Sequence, residues 1–140
     1  MLRRVRRQLL GIIGAAVCSP FAFSQGASNE QISLDEARRL HESGAAVLID
    51  IREPSEHATG VALGAKLLPM SQLPQRYKEI PLDSAKPALL ICRTQNRSSA
   101  TLQNLRKQLG QVAYAHVRYV NGGMSEWAKR GWPMIKPPAP

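Results

Sequence analysis

The chain has 140 residues, a length typical of one domain, and its 19 basic and 10 acidic residues give a formal net charge of +9 at pH 7. Two cysteines and three scattered histidines have no metal-ligand spacing, so the sequence predicts no metal site. The excess of basic residues favours nucleic-acid binding only where it forms a patch or a run.

The first 24 residues have the pattern of a secretory signal peptide. Four arginines within residues 3–7 precede an apolar run over 9–23, and Ala22-Phe23-Ser24 places small residues before a cut at Gln25. The run is shorter than the about 20 residues of a transmembrane helix, and Pro20 interrupts it. The alternative is an uncleaved N-terminal anchor, and Arg6-Arg7 leaves the twin-arginine export route open beside the general one.

Cleavage would change the charge and sulfur content of the chain. Residues 25–140 keep 15 basic and 10 acidic residues without a basic run, so the net charge falls to +5 and we expect no nucleic-acid partner. Cys92 becomes the only cysteine, which precludes an internal disulfide, and a lone thiol in an oxidising compartment is a liability unless it is used. We expect a periplasmic or secreted protein with no stable membrane insertion after cleavage.

A helix and a buried strand begin the predicted domain. A short edge strand at Ile32 precedes Ser33-Leu34-Asp35-Glu36, a capping box in which Ser33 accepts from the Glu36 N–H and Glu36 reaches back. This helix ends at Gly44, and the apolar run over 45–51 predicts a strand buried on both faces.

Charged residues follow this strand. We expect Asp50, Arg52 and Glu56 to form a structural network of ion pairs and hydrogen bonds, because charges at a buried edge are usually paired. Further along, the helical spacing of Leu73, Tyr77 and Ile80 predicts a short helix between prolines 69 and 81.

Residues 88–98 predict a buried strand that runs into a polar loop. Cys92 follows the apolar run over 88–91, and Ser98 is predicted to cap a helix with leucines at 102, 105 and 109. A thiol beneath a helix N-terminus meets free N–H groups and the positive end of the helix dipole, both of which favour a reactive thiolate. The alternative is a buried structural cysteine, but the polar neighbours argue against burial in apolar surroundings.

The last part of the chain predicts a strand over 113–120, with valines 112, 117 and 120 in the core. Asn121-Gly122-Gly123 predicts a tight turn, and a short helix follows from Ser125 to Gly131, packed by tryptophans 127 and 132. The alternation of strands and helices predicts an α/β domain with a mainly parallel sheet. Asp50, Arg52 and Cys92 would then meet beyond the carboxyl ends of its strands, where sites form in such sheets.

Three stretches in this order resemble the signatures of the rhodanese, or sulfurtransferase homology, family. Residues 50–65 resemble the first signature, 92–98 the active-site loop and 121–133 the closing signature. The resemblance covers about residues 31–135. It implies a rhodanese-like fold, with a small, mainly parallel sheet and helices on both faces, in one domain over 25–140. It implies no cofactor and no metal.

Three positions depart from the family's pattern: His57 replaces an aromatic residue, Val61-Ala62 replaces His-Ile, and Gln95 replaces glycine. Glycine suits a loop that turns its N–H groups inward, and we expect Gln95 to adopt the same turn at a cost of about 1 kcal/mol. The added side chain would affect rate and substrate range more than the chemistry.

The resemblance implies sulfur transfer. The Cys92 thiolate would take the outer sulfur of a small anionic donor such as thiosulfate, release sulfite, and pass the sulfur to a thiol, a protein acceptor or cyanide. The loop would bind the donor and the persulfide, with Arg97 alternatively facing the preceding helix, and Asp50 and Arg52 would support it structurally. The expected substrate-binding residues are Arg93, Thr94, Gln95, Asn96, Arg97 and Ser98.

Other functions remain open from the sequence. A related phosphatase class has one more residue between its cysteine and arginine, and the shorter span from Cys92 to Arg97 disfavours the bulkier phosphoryl group. A non-catalytic binding module of the same fold is a second alternative. A third is a carrier that passes sulfur between proteins with little activity on free thiosulfate.

Overall fold

The computed structural model of the protein describes residues 30–138. The predicted signal peptide and Cys18 lie outside the described residues, so cleavage and export stay predictions. Within the described part of the chain, no helix is both long and apolar enough to cross a membrane.

Strands and helices alternate along most of residues 30–138, with β3 and β4 as two successive strands. The strands are β1 (Gln31–Ile32), β2 (Val47–Asp50), β3 (Val61–Ala62), β4 (Lys66–Leu67), β5 (Ala88–Ile91), β6 (Arg118–Val120) and β7 (Met134–Ile135). The helices are α1 (Leu34–Glu42), α2 (Pro54–His57), α3 (Leu73–Arg76), α4 (Asn96–Leu109) and α5 (Gly123–Lys129). Two short 3-10 turns, Met70–Gln72 and Tyr77–Glu79, flank α3.

A five-stranded parallel sheet forms the centre of the fold, in the order β1-β6-β5-β2-β4. The two predicted apolar runs lie in its middle, since β2 and β5 pair from Val47↔Ala88 to Asp50↔Ile91. The edge strand predicted at Ile32 is confirmed as β1. The carboxyl ends of β2 and β5 therefore meet at one edge of the sheet, where Asp50 and Cys92 lie.

Alternating side chains on the central strands divide the core between two faces. Leu48, Leu89 and Ile91 pack in one cluster with residues of α1 and α5, whereas Ile49, Leu90 and Cys92 pack in another with residues of α4. Helices thus cover both faces of the sheet, which confirms the predicted α/β class. The Cys92 side chain faces α4 because it is two residues beyond Leu90.

The helix starts agree in part with prediction. Ser33 Oγ accepts from the Glu36 N–H at 3.2 Å, as predicted. The predicted return contact of Glu36 is wrong, because its carboxylate takes two charge-assisted hydrogen bonds from Arg39 instead. The predicted start of α5 at Ser125 is also wrong by two residues, since α5 begins at Gly123.

The strand predicted over 113–120 is mostly wrong. Only β6 is a strand, residues 111–116 form turns, and Val112 is 89% exposed rather than in the core. The cause is the buried Arg106 of α4, which donates to the carbonyls of Tyr114 and Val117 and so satisfies them without a neighbouring strand. Val117 and Val120 are buried as predicted.

The proline-rich end of the described chain folds back on the domain. β7 pairs antiparallel with β3, which sequence patterning missed because each strand has two residues. Trp127 is buried, contacts Trp132 edge to face at 5.1 Å between ring centroids, and donates to Pro133 O at 3.1 Å. These contacts confirm the predicted packing of the last helix by two tryptophans.

Candidate active site

Cys92 lies immediately after β5, at the carboxyl edge of the sheet. Its side chain is fully buried and belongs to the cluster beneath α4, so the expectation that polar neighbours would keep it out of apolar surroundings is wrong. The neighbours are polar, but strand alternation turns the sulfur inward while most loop side chains point outward. The thiol therefore lies at the floor of the loop rather than on its rim.

The first turn of α4 contacts the Cys92 sulfur directly. The Ser98 N–H donates to Cys92 Sγ at 3.4 Å, and the thiol donates to Ser98 Oγ, also at 3.4 Å. The predicted capping role of Ser98 is wrong, because α4 begins at Asn96 and Ser98 lies inside its first turn. Ser98 Oγ donates to Gln95 O at 3.1 Å. A buried hydroxyl and a helix N–H thus both reach the Cys92 sulfur.

The loop turns its carbonyls away from the helix that carries Ser98. Cys92 O accepts from the Met124 N–H at 2.8 Å, and Arg93 O accepts from the Ser125 N–H at 2.9 Å. Between these contacts, Gly123 approaches so closely that an added Cβ would lie 2.3 Å from Thr94 O and 2.5 Å from the carbonyl oxygens of Cys92 and Arg93. The first turn of α5 therefore holds the loop by its carbonyl groups.

Gln95 fits the loop without the expected backbone cost. Its φ of −146° and ψ of −10° lie outside the left-handed region, so the penalty predicted for a left-handed turn is wrong. Its side chain is half-buried and makes no hydrogen bond within the described residues. The substitution for glycine thus adds an amide beside the loop without a left-handed residue at this position.

Arg97 pairs with a residue of α2, and not with α3, the helix that directly precedes β5 and the loop and that the sequence left open as an alternative. Its guanidinium donates to both carboxylate oxygens of Glu56 in α2, at 2.8 and 2.6 Å. Glu56 also accepts from the Glu53 N–H at 2.9 Å. The contact with Arg97, supported by this backbone hydrogen bond, lowers the pKa of Glu56 to about 2. Glu56 thus pairs with the loop and not with Arg52, contrary to the predicted network.

This depressed pKa makes part of the stability depend on pH. The unfolded chain binds more protons to Glu56 than the native protein does, so the pair stabilises fully above pH 4.5 and its contribution falls as pH falls toward 2. Because both side chains are about one third exposed, we expect Glu56→Gln to lower the unfolding free energy by about 1 kcal/mol at pH 6 and by less at pH 3.

Urea titrations at both pH values measure this difference. Arg97→Gln is the matched variant, since it removes the partner and leaves the carboxylate. It should reduce the same pH dependence, and a wild-type pH dependence in Arg97→Gln would contradict the assignment of the shift to this pair.

Asp50 and Arg52 form the predicted ion pair, fully within the protein. Arg52 donates to both carboxylate oxygens of Asp50, the shortest contact being 2.6 Å, and to Gly60 O at 2.8 Å. His57 is buried beside them, its Nε2 lying 3.3 Å from Asp50 Oδ1 without the geometry of a hydrogen bond. Through these hydrogen bonds, Arg52 connects the end of β2 to the turn before β3.

Three further loop side chains make no polar contact within the described residues. Arg93 and Asn96 are exposed and Thr94 is half-buried, and none of these three side chains has a hydrogen bond or ion pair within the described residues. Among residues 30–138, no three His, Cys, Asp or Glu side chains gather as they would around a metal ion.

Comparison with known proteins decides the family. The family model of the rhodanese-like domain matches residues 33–130. The chain belongs to this family. A sulfurtransferase of Allochromatium vinosum is 35% identical over 109 residues, which cover 78% of this chain and 96% of the relative. The resemblance predicted from three motifs is therefore confirmed.

Solved structures agree with the rhodanese-like fold. A rhodanese-related protein from Thermoplasma volcanium has a TM-score of 0.61 at 28% identity, covering 77% of this chain and 99% of that one. The human single-domain sulfurtransferase TSTD1 has a TM-score of 0.58 at 27% identity, covering 75% and 98%. The predicted fold, a parallel sheet with helices on both faces, is confirmed.

Two contributors to this rhodanese-like site were not assigned to it from the sequence. Gly123 was predicted only as a turn residue, although its place in the closing signature was a signal. Glu56 was assigned to the wrong arginine, because a partner 41 positions away leaves no local pattern. The roles of Cys92 and of loop residues 93–98 stay predictions.

Proposed function

We propose that this protein is a sulfurtransferase that carries sulfane sulfur on Cys92. One observation carries the proposal: the sulfur of Cys92 lies at the start of α4, within hydrogen-bond reach of the Ser98 N–H and hydroxyl. These groups would stabilise first a thiolate and then a persulfide anion. Membership in a family that includes sulfurtransferases supports the same reaction.

The proposed first half-reaction moves one sulfur atom. The Cys92 thiolate attacks the outer sulfur of thiosulfate, a new S–S bond forms, and the donor's S–S bond breaks with its electron pair leaving on sulfite. The products are the Cys92 persulfide anion and sulfite, so charge and atoms balance. An acceptor thiolate or cyanide then attacks the outer sulfur and regenerates the Cys92 thiolate.

Ser98 has a defined part in this sequence. Its hydroxyl donates to Gln95 O while the thiol is protonated, and it can rotate to donate to sulfur once the thiolate forms. The N–H of Ser98 needs no rotation, because it already points at Sγ. Preorganised donors of this kind stabilise developing charge without reorganisation cost.

Intact-mass measurement after incubation with thiosulfate tests the proposal. We expect the full chain to gain one sulfur atom, to lose it on addition of cyanide or a thiol, and to gain none as Cys92→Ser. Ser99→Ala, a neighbour on α4 outside the proposed site, serves as the control and should load like the wild type.

Two outcomes would redirect the function. Failure to load from thiosulfate or any other sulfane donor would overturn sulfur transfer and favour a non-catalytic binding module. Loading only from a persulfidated protein would reject thiosulfate as the donor and favour the protein-to-protein carrier.

We also propose that the domain works outside the cytoplasm, after cleavage before Gln25. The support is the sequence pattern of residues 1–24. N-terminal sequencing of the exported protein should begin at Gln25, and a protein that begins at Met1 would overturn this proposal.

A further inference from the structure

The two arginines of the Cys92 loop differ in their surroundings, and we infer that they have different tasks. On the proposed function, Arg93 binds the anionic end of the sulfur donor, whereas Arg97 is a positioning residue that fixes the loop to α2. The proposed donor class is a small dianion that gives its outer sulfur to Cys92 and releases sulfite, and Arg93 determines the protein's affinity for this donor.

Arg97 has its charge compensated within the protein. Both of its terminal nitrogens donate to Glu56, and the carboxylate remains ionised because its pKa is held at about 2. Binding a donor through Arg97 would break two charge-assisted hydrogen bonds and leave Glu56 facing a dianion. The pair instead connects the first turn of α4 to α2, beside the sulfur-binding Ser98.

Arg93 has the opposite environment. Its side chain is exposed and has no hydrogen bond or ion pair within the described residues, so its positive charge is uncompensated. Its backbone is nevertheless fixed, since Arg93 O accepts from the Ser125 N–H at 2.9 Å and lies against Gly123. A flexible guanidinium on a fixed backbone, next to Cys92, can meet a donor without moving the loop.

The guanidinium suits the leaving group as well as the donor. Its planar N–H groups bind two oxygens of a sulfonate side by side, and the departing sulfite keeps both contacts at similar strength, so their loss weakens binding more than it lowers the rate. Lysine carries a point charge without this planar geometry, so Arg93→Lys should keep part of the wild-type affinity for the donor and lose the rest.

Rapid-mixing measurements of persulfide formation against thiosulfate concentration separate the two tasks. We expect Arg93→Gln to raise the half-saturating thiosulfate concentration about tenfold, with the saturating rate nearly unchanged. The half-saturating concentration of Arg93→Lys should lie between those of the wild type and Arg93→Gln. Lys107→Gln, which removes one exposed charge on α4, is the matched control for net charge and should resemble the wild type.

The positioning role of Arg97 has a different signature. Arg97→Gln and Glu56→Gln should each lower the saturating rate, by about tenfold, and leave half-saturation near the wild-type value. The double variant should be no worse than either single variant, because the pair acts as a unit. If Arg97 instead bound the donor, Glu56→Gln would free its charge and lower the half-saturating concentration.

The outcomes distinguish this inference from the proposed function. A wild type that fails to load overturns sulfur transfer itself. A wild type that loads, with unchanged half-saturation in Arg93→Gln or with the affinity loss in Arg97→Gln, overturns the division of tasks and leaves sulfur transfer standing.

Discussion

Replacing Gly123 with alanine is expected to destabilise the protein and to slow sulfur loading at Cys92. The new Cβ would lie 2.3–2.5 Å from three backbone carbonyl oxygens of the loop, and backbone atoms cannot move aside as a flexible side chain can. The residue also has a φ of 62°, which an L side chain rarely adopts. Together we expect a loss of about 2–5 kcal/mol in unfolding free energy.

Gly131→Ala is the matched control for this change. Gly131 has a nearly equal φ of 65°, but apart from its chain neighbours no atom of residues 30–138 lies within 4 Å of the position that its Cβ would take. It should therefore lose only the conformational part, about 1–2 kcal/mol, and load sulfur at the wild-type rate. Urea unfolding and loading rates measure both variants. Equal stability losses in the two would show that the contact with the loop carbonyls is unimportant.

Arg52→Met is expected to be the most damaging change away from the Cys92 loop. It leaves the fully buried Asp50 carboxylate without the guanidinium that satisfies both of its oxygens, and it frees Gly60 O. Breaking a buried ion pair on one side costs about 3–5 kcal/mol, because an uncompensated charge remains. Urea unfolding at neutral pH measures the loss.

The double variant, in which Asp50→Asn is added to Arg52→Met, isolates the charge. Asparagine keeps an oxygen that can accept from the backbone N–H of residue 52, as Asp50 Oδ1 does in the wild type, while the buried charge is removed. The double variant should be more stable than Arg52→Met alone. If it is equally or less stable, the loss in the single variant comes from packing and not from the unpaired carboxylate.

The central strands and the first helix follow from local sequence. The apolar runs over 45–51 and 88–91 predict β2 and β5 because parallel strands buried on both faces need continuous apolar residues. Ser33 predicts the start of α1 because its hydroxyl acts on a neighbour three residues away. Patterns of this kind depend on nearby residues and are visible without the fold.

The errors lie where distant residues decide the local structure. Arg106 donates to the carbonyls of residues 114 and 117 and also pairs with Glu30 across the domain. These contacts favour turns over residues 111–116, although the stretch contains strand-forming residues. Similarly, the conformation of Gln95 and the partner of Glu56 depend on how the loop lies between α2 and α5. The place of Cys92 after β5 was predicted from the sequence. The burial of its sulfur was not, because it depends on which face of the sheet this residue occupies.

Because Cys92 is buried, the unloaded and the sulfur-loaded protein would differ in whether they expose a sulfur atom at this site. On the proposed mechanism, loading extends the side chain by one S–S bond, about 2 Å. The Cys92 side chain packs in the apolar cluster beneath α4, so the added atom would point away from that cluster, toward the loop. The buried thiol of the unloaded protein is thereby shielded from disulfide exchange with other molecules, and the atom presented to an acceptor would be the transferred sulfur and not Cys92 Sγ.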